Sequence, residues 1–243
     1  MTDKKYTLGI DIGSTTVKIA ILDEENQLLF ADYERHFANI QETLAHLLGE
    51  AHEKLGELTL QPVITGSGGL ALANHLGIPF TQEVIAVSTS LKALAPQTDV
   101  AIELGGEDAK MVFFSQGQPS DLRMNGNCAG GTGAFIDQMA ILLNVSPDEL
   151  GALAENATQI YPIASRCGVF CKTDIQNLIA RNASRADIAA SIFQSVVTQT
   201  ISGLACGRPI RGHVAFLGGP LQYLPELRKR FYDCLLYTSD AAD

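Results

Sequence analysis

Three short glycine-containing turns, each directly after an apolar run, carry residue types that bind phosphate. The first turn contains Asp11, Gly13, Ser14, Thr15, Thr16 and Lys18. Glycine lets backbone N–H groups approach an anion, such turns form anion-binding nests, and nearby hydroxyl groups add further donors. The carboxylate of Asp11 suits Mg²⁺, which prefers oxygen ligands, whereas Lys18 either neutralises phosphate or points into solvent. An ordinary hairpin is the alternative for this turn taken alone.

The second and third turns repeat this combination in a later part of the chain. The second contains Glu103, Gly105, Gly106 and Asp108, which places acids beside glycines. The third, Gly218-Gly219-Pro220, follows an apolar run and precedes a predicted helix, so its backbone could pack against an adenine ring. The first turn lacks the Walker A spacing and joins two strands, unlike a dinucleotide-binding fingerprint. Each turn alone is a weak signal, but their order and strand contexts together are specific.

Two of the five cysteines, Cys128 and Cys167, stand shortly before predicted helices. A helix N-terminus favours a thiolate through its dipole and its free N–H donors, and such donors also hydrogen-bond cluster sulfides. Because a [4Fe–4S] cluster generally takes four thiolates, two per chain favour one cluster shared by two chains. An intrachain site would add Cys171 and a fourth ligand. From the residues alone, however, buried structural thiols are the favoured interpretation of these cysteines. Cys206 and Cys234 are interpreted as structural or incidental.

The composition argues against several broad classes of protein. The 243 residues carry a formal charge of −10, with a pI near 4.9, which is unlike a general nucleic-acid-binding protein. Hydrophobic residues make up 46% of the chain, so it can bury a core. No uninterrupted apolar run approaches the roughly 18 residues of a membrane helix, and no signal-peptide core precedes the first turn. We therefore expect a cytoplasmic protein with no membrane or nucleic-acid partner.

Alternating strand and helix patterns predict an α/β chain with mixed sheets. Apolar runs predict strands at residues 6–11, 17–22, 27–33, 62–65, 100–104, 109–115 and 214–217. Helical patterns predict helices at residues 39–56, 83–95, 134–144, 147–155, 173–182 and 185–204, and the start of a further helix at 225–230. Thr173 and Gln176 would form a capping box. Because the order strand, glycine turn, strand occurs at both 6–22 and 100–115, we interpret the chain as two related lobes.

Taken in order, the three turns resemble the phosphate-1, phosphate-2 and adenosine motifs of the acetate/sugar kinase, Hsp70 and actin superfamily. The segment NGNCAGGTGAF at 125–135 resembles the cysteine motif of 2-hydroxyacyl-CoA dehydratase activators and benzoyl-CoA reductase ATPase subunits, the BadF/BadG/BcrA/BcrD type. The resemblance extends from residue 6 to about residue 232. It implies two actin-like (ribonuclease H-like) lobes with a nucleotide cleft between them, at 1–98 and 99–233. Residues 234–243 are expected to be a non-native tail after a truncated C-terminal end.

The resemblance also implies a function. It predicts an ATPase that binds ATP or ADP with Mg²⁺ organised by Asp11, while Glu103 or Asp108 positions the attacking water. Glu103 stands where the superfamily has an aspartate. Gly131 and Gly133 join the three turns as nucleotide-binding residues.

The same resemblance makes Cys128 and Cys167 ligands of a [4Fe–4S] cluster that bridges a homodimer. That dimer would pass a low-potential electron, received from a donor such as ferredoxin or flavodoxin, to an iron–sulfur dehydratase or reductase acting on an acyl-CoA. A small-molecule kinase without a cluster and an iron–sulfur redox sensor are the alternatives.

Overall fold

The structure, a computed structural model, describes residues 4–115, 118–125, 130–165 and 167–240. The chain divides into two compact units, residues 1–94 and residues 95–243. Each unit contains one mixed four-stranded sheet covered by helices. This arrangement confirms the predicted α/β class.

Unit 1 is built on a sheet with the strand order β3-β2-β1-β4. Its strands are β1 (Lys5–Ile12), β2 (Thr16–Leu22), β3 (Leu28–Arg35) and β4 (Thr59–Thr65). Its helices are α1 (Ile40–Leu55), α2 (Gly69–Leu76) and α3 (Glu83–Leu94). β1 pairs antiparallel with β2 and parallel with β4. Alternate residues of β1 and β2 are buried against α1, as expected for a strand with one covered face.

Unit 2 repeats this order as β7-β6-β5-β8. Its strands are β5 (Thr98–Leu104), β6 (Ala109–Ser115), β7 (Gln118–Asn125) and β8 (His213–Leu217). Its helices are α4 (Gly133–Leu142), α5 (Pro147–Ala154), α6 (Gly168–Ala180), α7 (Arg185–Thr200), α8 (Gly219–Tyr223) and α9 (Pro225–Asp240). β5 again pairs antiparallel with one neighbour and parallel with the other. The shared strand order agrees with the repeat inferred from the sequence.

Helix α7 is the central helix of unit 2, and most of its residues are buried. It continues through a π-helical turn at Ile201–Ala205. In the described part of the chain, the combined helix Arg185–Ala205 is the one long and apolar enough to cross a membrane. However, 67% of that apolar window is buried inside the protein, as in the core helix of a folded domain.

The structure corrects the prediction at the start of α6. The helix begins at Gly168 with Cys167 as its N-cap, not at residue 173. Thr173 lies inside the helix, where its hydroxyl donates to the carbonyl oxygen of Val169 at 3.1 Å, so the predicted capping box with Gln176 is wrong. The sequence analysis also missed α2, α8 and the edge strand β7, and it did not extend α9 to Asp240.

Candidate functional site

The first glycine turn is the hairpin between β1 and β2, and it brings Asp11 beside Lys18. These two residues are register partners across the hairpin. Asp11 Oδ2 lies 2.5 Å from Lys18 Nζ in a partly exposed ion pair. Lys18 therefore contacts the carboxylate at the end of β1, which is neither of the two roles considered from the sequence.

The other carboxylate oxygen of Asp11 is buried and has no described hydrogen-bond partner. Among the described residues, Asp11 Oδ1 shares this condition with one other side-chain atom, Thr65 Oγ1. The two residues are register partners on the parallel strands β1 and β4. A buried polar atom without a partner is costly, so these adjacent oxygens fit a cation or its bound water, the environment that Mg²⁺ prefers.

Gly66, directly after β4, leaves room for this carboxylate. Its φ of 93° lies in the region that favours glycine. A Cβ at this position would overlap the backbone oxygen of Ile12 and Oδ1 of Asp11. The loop after β4 therefore contributes to the site, although the sequence analysis named no candidate residue in it.

The turn at residues 13–16 is closed by a hydrogen bond from the N–H of Gly13 to the carbonyl oxygen of Thr16 at 2.9 Å. No described residue accepts a hydrogen bond from the N–H of Ser14 or Thr15. The hydroxyl oxygens of Ser14 and Ser67 lie 3.4 Å apart. Successive backbone N–H groups without internal acceptors suit an anion, so this geometry is compatible with phosphate binding.

The second turn has the same closing hydrogen bond in unit 2. The N–H of Gly105 donates to the carbonyl oxygen of Asp108 at 2.9 Å. Buried Lys110, the register partner of Glu103, lies 3.6 Å from the carboxylate of Glu103 and 2.9 Å from that of Asp108. Both candidate water-positioning acids therefore contact the same lysine.

The N-terminus of α4 is hydrogen-bonded directly to the second turn. Gly133 donates to the carbonyl oxygen of Gly105 at 2.9 Å, and Ala134 donates to that of Gly106 at 2.7 Å. Helix N-termini have N–H groups without helical acceptors, and these two find acceptors in the turn. A Cβ on Gly133 would lie 3.2 Å from the ring of Pro220, so Gly133 also contacts the third turn.

The third turn packs against the strand that leads into the second. Gly218 has φ 90° and ψ 156°, a combination that is essentially restricted to glycine. A Cβ there would overlap the carbonyl group of Leu104. Gly219 and Pro220 then begin α8, and nothing lies within 4 Å of a Cβ built on Gly219. Unit 2 thus brings together the second turn, the third turn and Gly133.

Gly131 lies close to the end of α7, whereas Gly133 lies close to the second and third turns. Its φ is 79°, and a Cβ on it would lie 3.3 Å from the hydroxyl oxygen of Thr200 at the end of α7. A cavity of about 480 Å³ borders this region, with Asn125, Gly130 and Ser165 among its lining residues. Gly131 therefore shapes the connection to α7 instead of joining the group around Gly133.

Of the two predicted cluster ligands, Cys128 lies outside the described residues. Cys167 is the partly buried N-cap of α6, and a Cβ on the following Gly168 would lie 3.6 Å from the ring of Phe135 in α4. The first turns of α4 and α6 are therefore neighbours.

The chain that leads to Cys167 is held in place by acceptors on α6 and α7. Asp187 Oδ1 accepts hydrogen bonds from the N–H groups of Thr158 at 2.7 Å and Gln159 at 3.0 Å. Further along, Asp174 Oδ2 accepts from the N–H of Ala164 at 2.9 Å.

Cys171 is a poor candidate for a metal ligand. It is buried, its Sγ lies 3.8 Å from the hydroxyl oxygen of Ser195, and burial raises the pKa of its thiol to about 11. A thiol must lose its proton to bind a metal. No group of three or more His, Cys, Asp or Glu side chains able to hold a metal occurs in the described residues. The burial and the raised pKa of Cys171 argue against the intrachain alternative that adds this residue.

With this geometry established, comparison with known proteins decides the family. The model of the BadF/BadG/BcrA/BcrD ATPase family matches residues 8–229. The chain belongs to this ATPase family. The resemblance noted in the sequence is therefore confirmed.

The ATPase is similar to the (R)-2-hydroxyglutaryl-CoA dehydratase activating ATPase of Acidaminococcus fermentans. The two are 30% identical over 222 residues, which cover 89% of this chain and 84% of the relative. The crystal structure of the A. fermentans (R)-2-hydroxyglutaryl-CoA dehydratase component A matches with a TM-score of 0.83 and 27% identity, covering 95% of this chain and 88% of that one. The activator of the 2-hydroxyisocaproyl-CoA dehydratase from Clostridium difficile, with bound ADPNP, matches with a TM-score of 0.82 and 26% identity, covering 95% and 85%.

Sequence reasoning missed three residues of this ATPase that the geometry adds to the site: Thr65, Gly66 and Lys110. One signal could have found Lys110, because Asp11, Gly13 and Lys18 recur with identical spacing as Glu103, Gly105 and Lys110. Thr65 and Gly66 become informative only through the parallel pairing of β4 with β1, which joins segments distant in sequence.

Proposed function

We propose that this ATPase is an ATP-dependent activator whose homodimer holds one [4Fe–4S] cluster and delivers a low-potential electron to a 2-hydroxyacyl-CoA dehydratase or a related CoA-thioester reductase. A ferredoxin- or flavodoxin-type protein would supply the electron, in the cytoplasm. The observation that carries the proposal is the pair of hydrogen bonds from Gly133 and Ala134 to the second glycine turn. These bonds join a candidate nucleotide-binding turn to the segment that contains the cysteine motif.

At the nucleotide, the first turn would bind phosphate through the N–H groups of Ser14 and Thr15. Asp11 and Thr65 would hold Mg²⁺, directly or through water, because their buried oxygens have no described partner. The bound ion would neutralise phosphate charge, which is a main requirement of phosphoryl transfer. Lys18 holds the Asp11 side chain in place through its contact with the second carboxylate oxygen.

Glu103 is the better of the two candidates for positioning the attacking water. It occupies the position in β5 that Asp11 occupies in β1, directly before a glycine turn. Asp108 lies closer to Lys110 and its carbonyl oxygen closes the turn, so it fits a structural role. Lys110 would then hold the side chain of Glu103 in place from β6.

A change at the phosphates would reach the cysteines through backbone contacts. If the second turn moves, the hydrogen bonds at 2.9 and 2.7 Å transmit the displacement to the first turn of α4. Because α4 and α6 are neighbours at Gly168 and Phe135, the N-terminus of α6 would respond as well. The chain thus has a direct route from the nucleotide to Cys167.

The residues around Cys167 fit a cluster ligand. The thiol is partly buried at a helix N-terminus, where N–H groups without helical acceptors can hydrogen-bond the sulfides of a cluster. When bound, a [4Fe–4S] cluster supplies one-electron transfer at low potential. Cys128 precedes α4 in sequence as Cys167 precedes α6, so we assign it the second thiolate of each chain.

Anaerobic purification with an iron count and an EPR spectrum tests the proposal. We expect about four iron atoms per dimer in the wild-type protein and loss of that iron in Cys167→Ser. The matched control is Cys206→Ser, because Cys206 is exposed and its Sγ donates to the carbonyl oxygen of Gly203; it should keep its iron. An iron-free wild-type protein that phosphorylates a metabolite would instead identify a kinase of the same superfamily.

A further inference from the structure

His36, directly after β3, is a buried histidine whose ring and backbone N–H make three hydrogen bonds to the first glycine turn or to its own loop. Its Nε2 lies 3.2 Å from the carbonyl oxygen of Gly13, and its backbone N–H donates to that of Thr15 at 3.1 Å. Its Nδ1 accepts a hydrogen bond from the N–H of Ala38 at 3.0 Å. Nothing in the proposed ATPase mechanism so far uses this side chain.

These contacts determine the protonation of the ring. A nitrogen that accepts a hydrogen bond from a backbone N–H carries no proton of its own, so Nδ1 of His36 is unprotonated. The single ring proton therefore lies on Nε2, which donates it to the carbonyl oxygen of Gly13. His36 therefore donates a hydrogen bond from Nε2 to the backbone of the turn.

Holding a carbonyl oxygen also orients the next N–H group. The peptide unit is planar and trans, so its C=O and N–H point in opposite directions. The ring of His36 holds the carbonyl oxygen of Gly13, so the N–H of Ser14 in the same peptide unit points away from His36. The backbone N–H of His36 holds the carbonyl oxygen of Thr15, so the N–H of Thr16 points away as well. One residue thereby fixes two of the peptide units in the turn.

The loop that presents His36 has an unusual backbone. The next two residues, Phe37 and Ala38, have φ values of 44° and 67°, which non-glycine residues adopt at an energetic cost. Such conformations persist where the surroundings enforce them, and they cluster at functional sites. Here the strained geometry places the N–H of Ala38 against Nδ1, which sets the tautomer of the ring.

We propose that His36 is a positioning residue for the nucleotide phosphate: its ring, a donor to the carbonyl oxygen of Gly13, orients the peptide unit between Gly13 and Ser14 so that the N–H of Ser14 faces the bound phosphate. This inference rests on the proposed function, in which the turn at residues 13–16 binds ATP. His36 acts through the turn and makes no contact with the phosphate itself.

Two conservative substitutions of His36 test the roles of Nε2 and Nδ1 separately. The amide nitrogen of glutamine can take the place of Nε2 and keep the donor to Gly13, whereas the amide oxygen of asparagine can take the place of Nδ1 and keep only the acceptor for Ala38. We expect His36→Gln to bind ADPNP within about twofold of wild type and His36→Asn to bind it about tenfold more weakly, the loss of about one hydrogen bond.

Isothermal titration calorimetry with ADPNP and Mg²⁺ measures the affinities, and thermal unfolding shows whether both variants fold. Rescue by Gln but not by Asn, at similar unfolding temperatures, supports a positioning role. Equal affinity in Asn and wild type refutes the inference alone, as does a Gln variant as weak as Asn. If the wild-type protein itself binds no ADPNP, the proposed function fails together with this inference.

Discussion

Replacing Gly218 with alanine tests how closely the third glycine turn packs against the second. The residue has φ 90° and ψ 156°, and a Cβ would overlap the carbonyl group of Leu104. Two separate costs therefore arise in Gly218→Ala. The backbone must hold alanine in a glycine-only region, and Leu104 must move away from the new methyl group.

The expected loss in the free energy of unfolding is the sum of these two costs. A non-glycine residue in such a region costs about 1–3 kcal/mol, and forcing an extra methyl group into a packed site costs about 1–3 kcal/mol. We expect Gly218→Ala to lower the free energy of unfolding by at least about 2 kcal/mol. With a urea m-value of about 2 kcal/mol per molar, the unfolding midpoint should fall by about 1 M.

The neighbouring glycine provides the matched control. Gly219 begins α8 and has no atom within 4 Å of a built Cβ, so Gly219→Ala should change the free energy of unfolding by less than about 1 kcal/mol. Urea unfolding followed by far-UV circular dichroism compares the two variants with wild type. Equal midpoints for Gly218→Ala and Gly219→Ala would refute the close packing of Gly218 on Leu104.

Two further predictions concern unit 2. Burial raises the pKa of the Cys171 thiol from its ordinary value of 9.0 to about 11. The unfolded chain therefore loses this proton first, and stability falls as pH rises from 9 to 11, by up to about 1.4 kcal/mol per pH unit. Urea unfolding across that pH range should show a steeper loss for wild type than for Cys171→Ala. Asp187→Ala leaves the N–H groups of Thr158 and Gln159 without their acceptor, and we expect it to lower the free energy of unfolding by about 1–3 kcal/mol, measured by urea unfolding at neutral pH.

Each of these two predictions has a comparison that tests its physical reason. Parallel pH profiles for wild type and Cys171→Ala would contradict the buried thiol, because other groups that titrate in this range are shared by both proteins. Asp187→Asn keeps an oxygen acceptor for Thr158 and Gln159, so it should lose less stability than Asp187→Ala. Similar losses in both variants would show that the charge of Asp187, and not its acceptor oxygen, matters.

Local sequence patterns predicted much of the fold. The alternation of apolar residues in β1 and β2 and the glycine turn between them predict the hairpin that the structure contains. The same pattern around Gly105 predicts its counterpart in unit 2. Motifs of contiguous residues indicated the family, and the family match at residues 8–229 confirms that family.

Features that depend on contacts between residues distant in sequence could not be predicted from local sequence patterns. The polar edge strand β7 has little apolar alternation, and its pairing with β6 defines it. The start of α6 was misplaced because Thr173 and Gln176 form a plausible local cap, whereas packing of Gly168 near Phe135 extends the helix to Cys167. Thr65 joined the site only through the register of β4 against β1.

The shared strand order of the two sheets has an evolutionary consequence. In the first unit, residues 36–58 between the third and fourth strands contain one helix, α1, whereas residues 126–212 in the corresponding connection of the second contain α4 to α7. If the two units descend from a duplicated ancestor, one copy kept a short connection and the other expanded it. Cys167 lies within that expansion. New chemistry could therefore have been acquired by lengthening a single connection, while both copies of the ancestral sheet kept their strand order and their glycine turns.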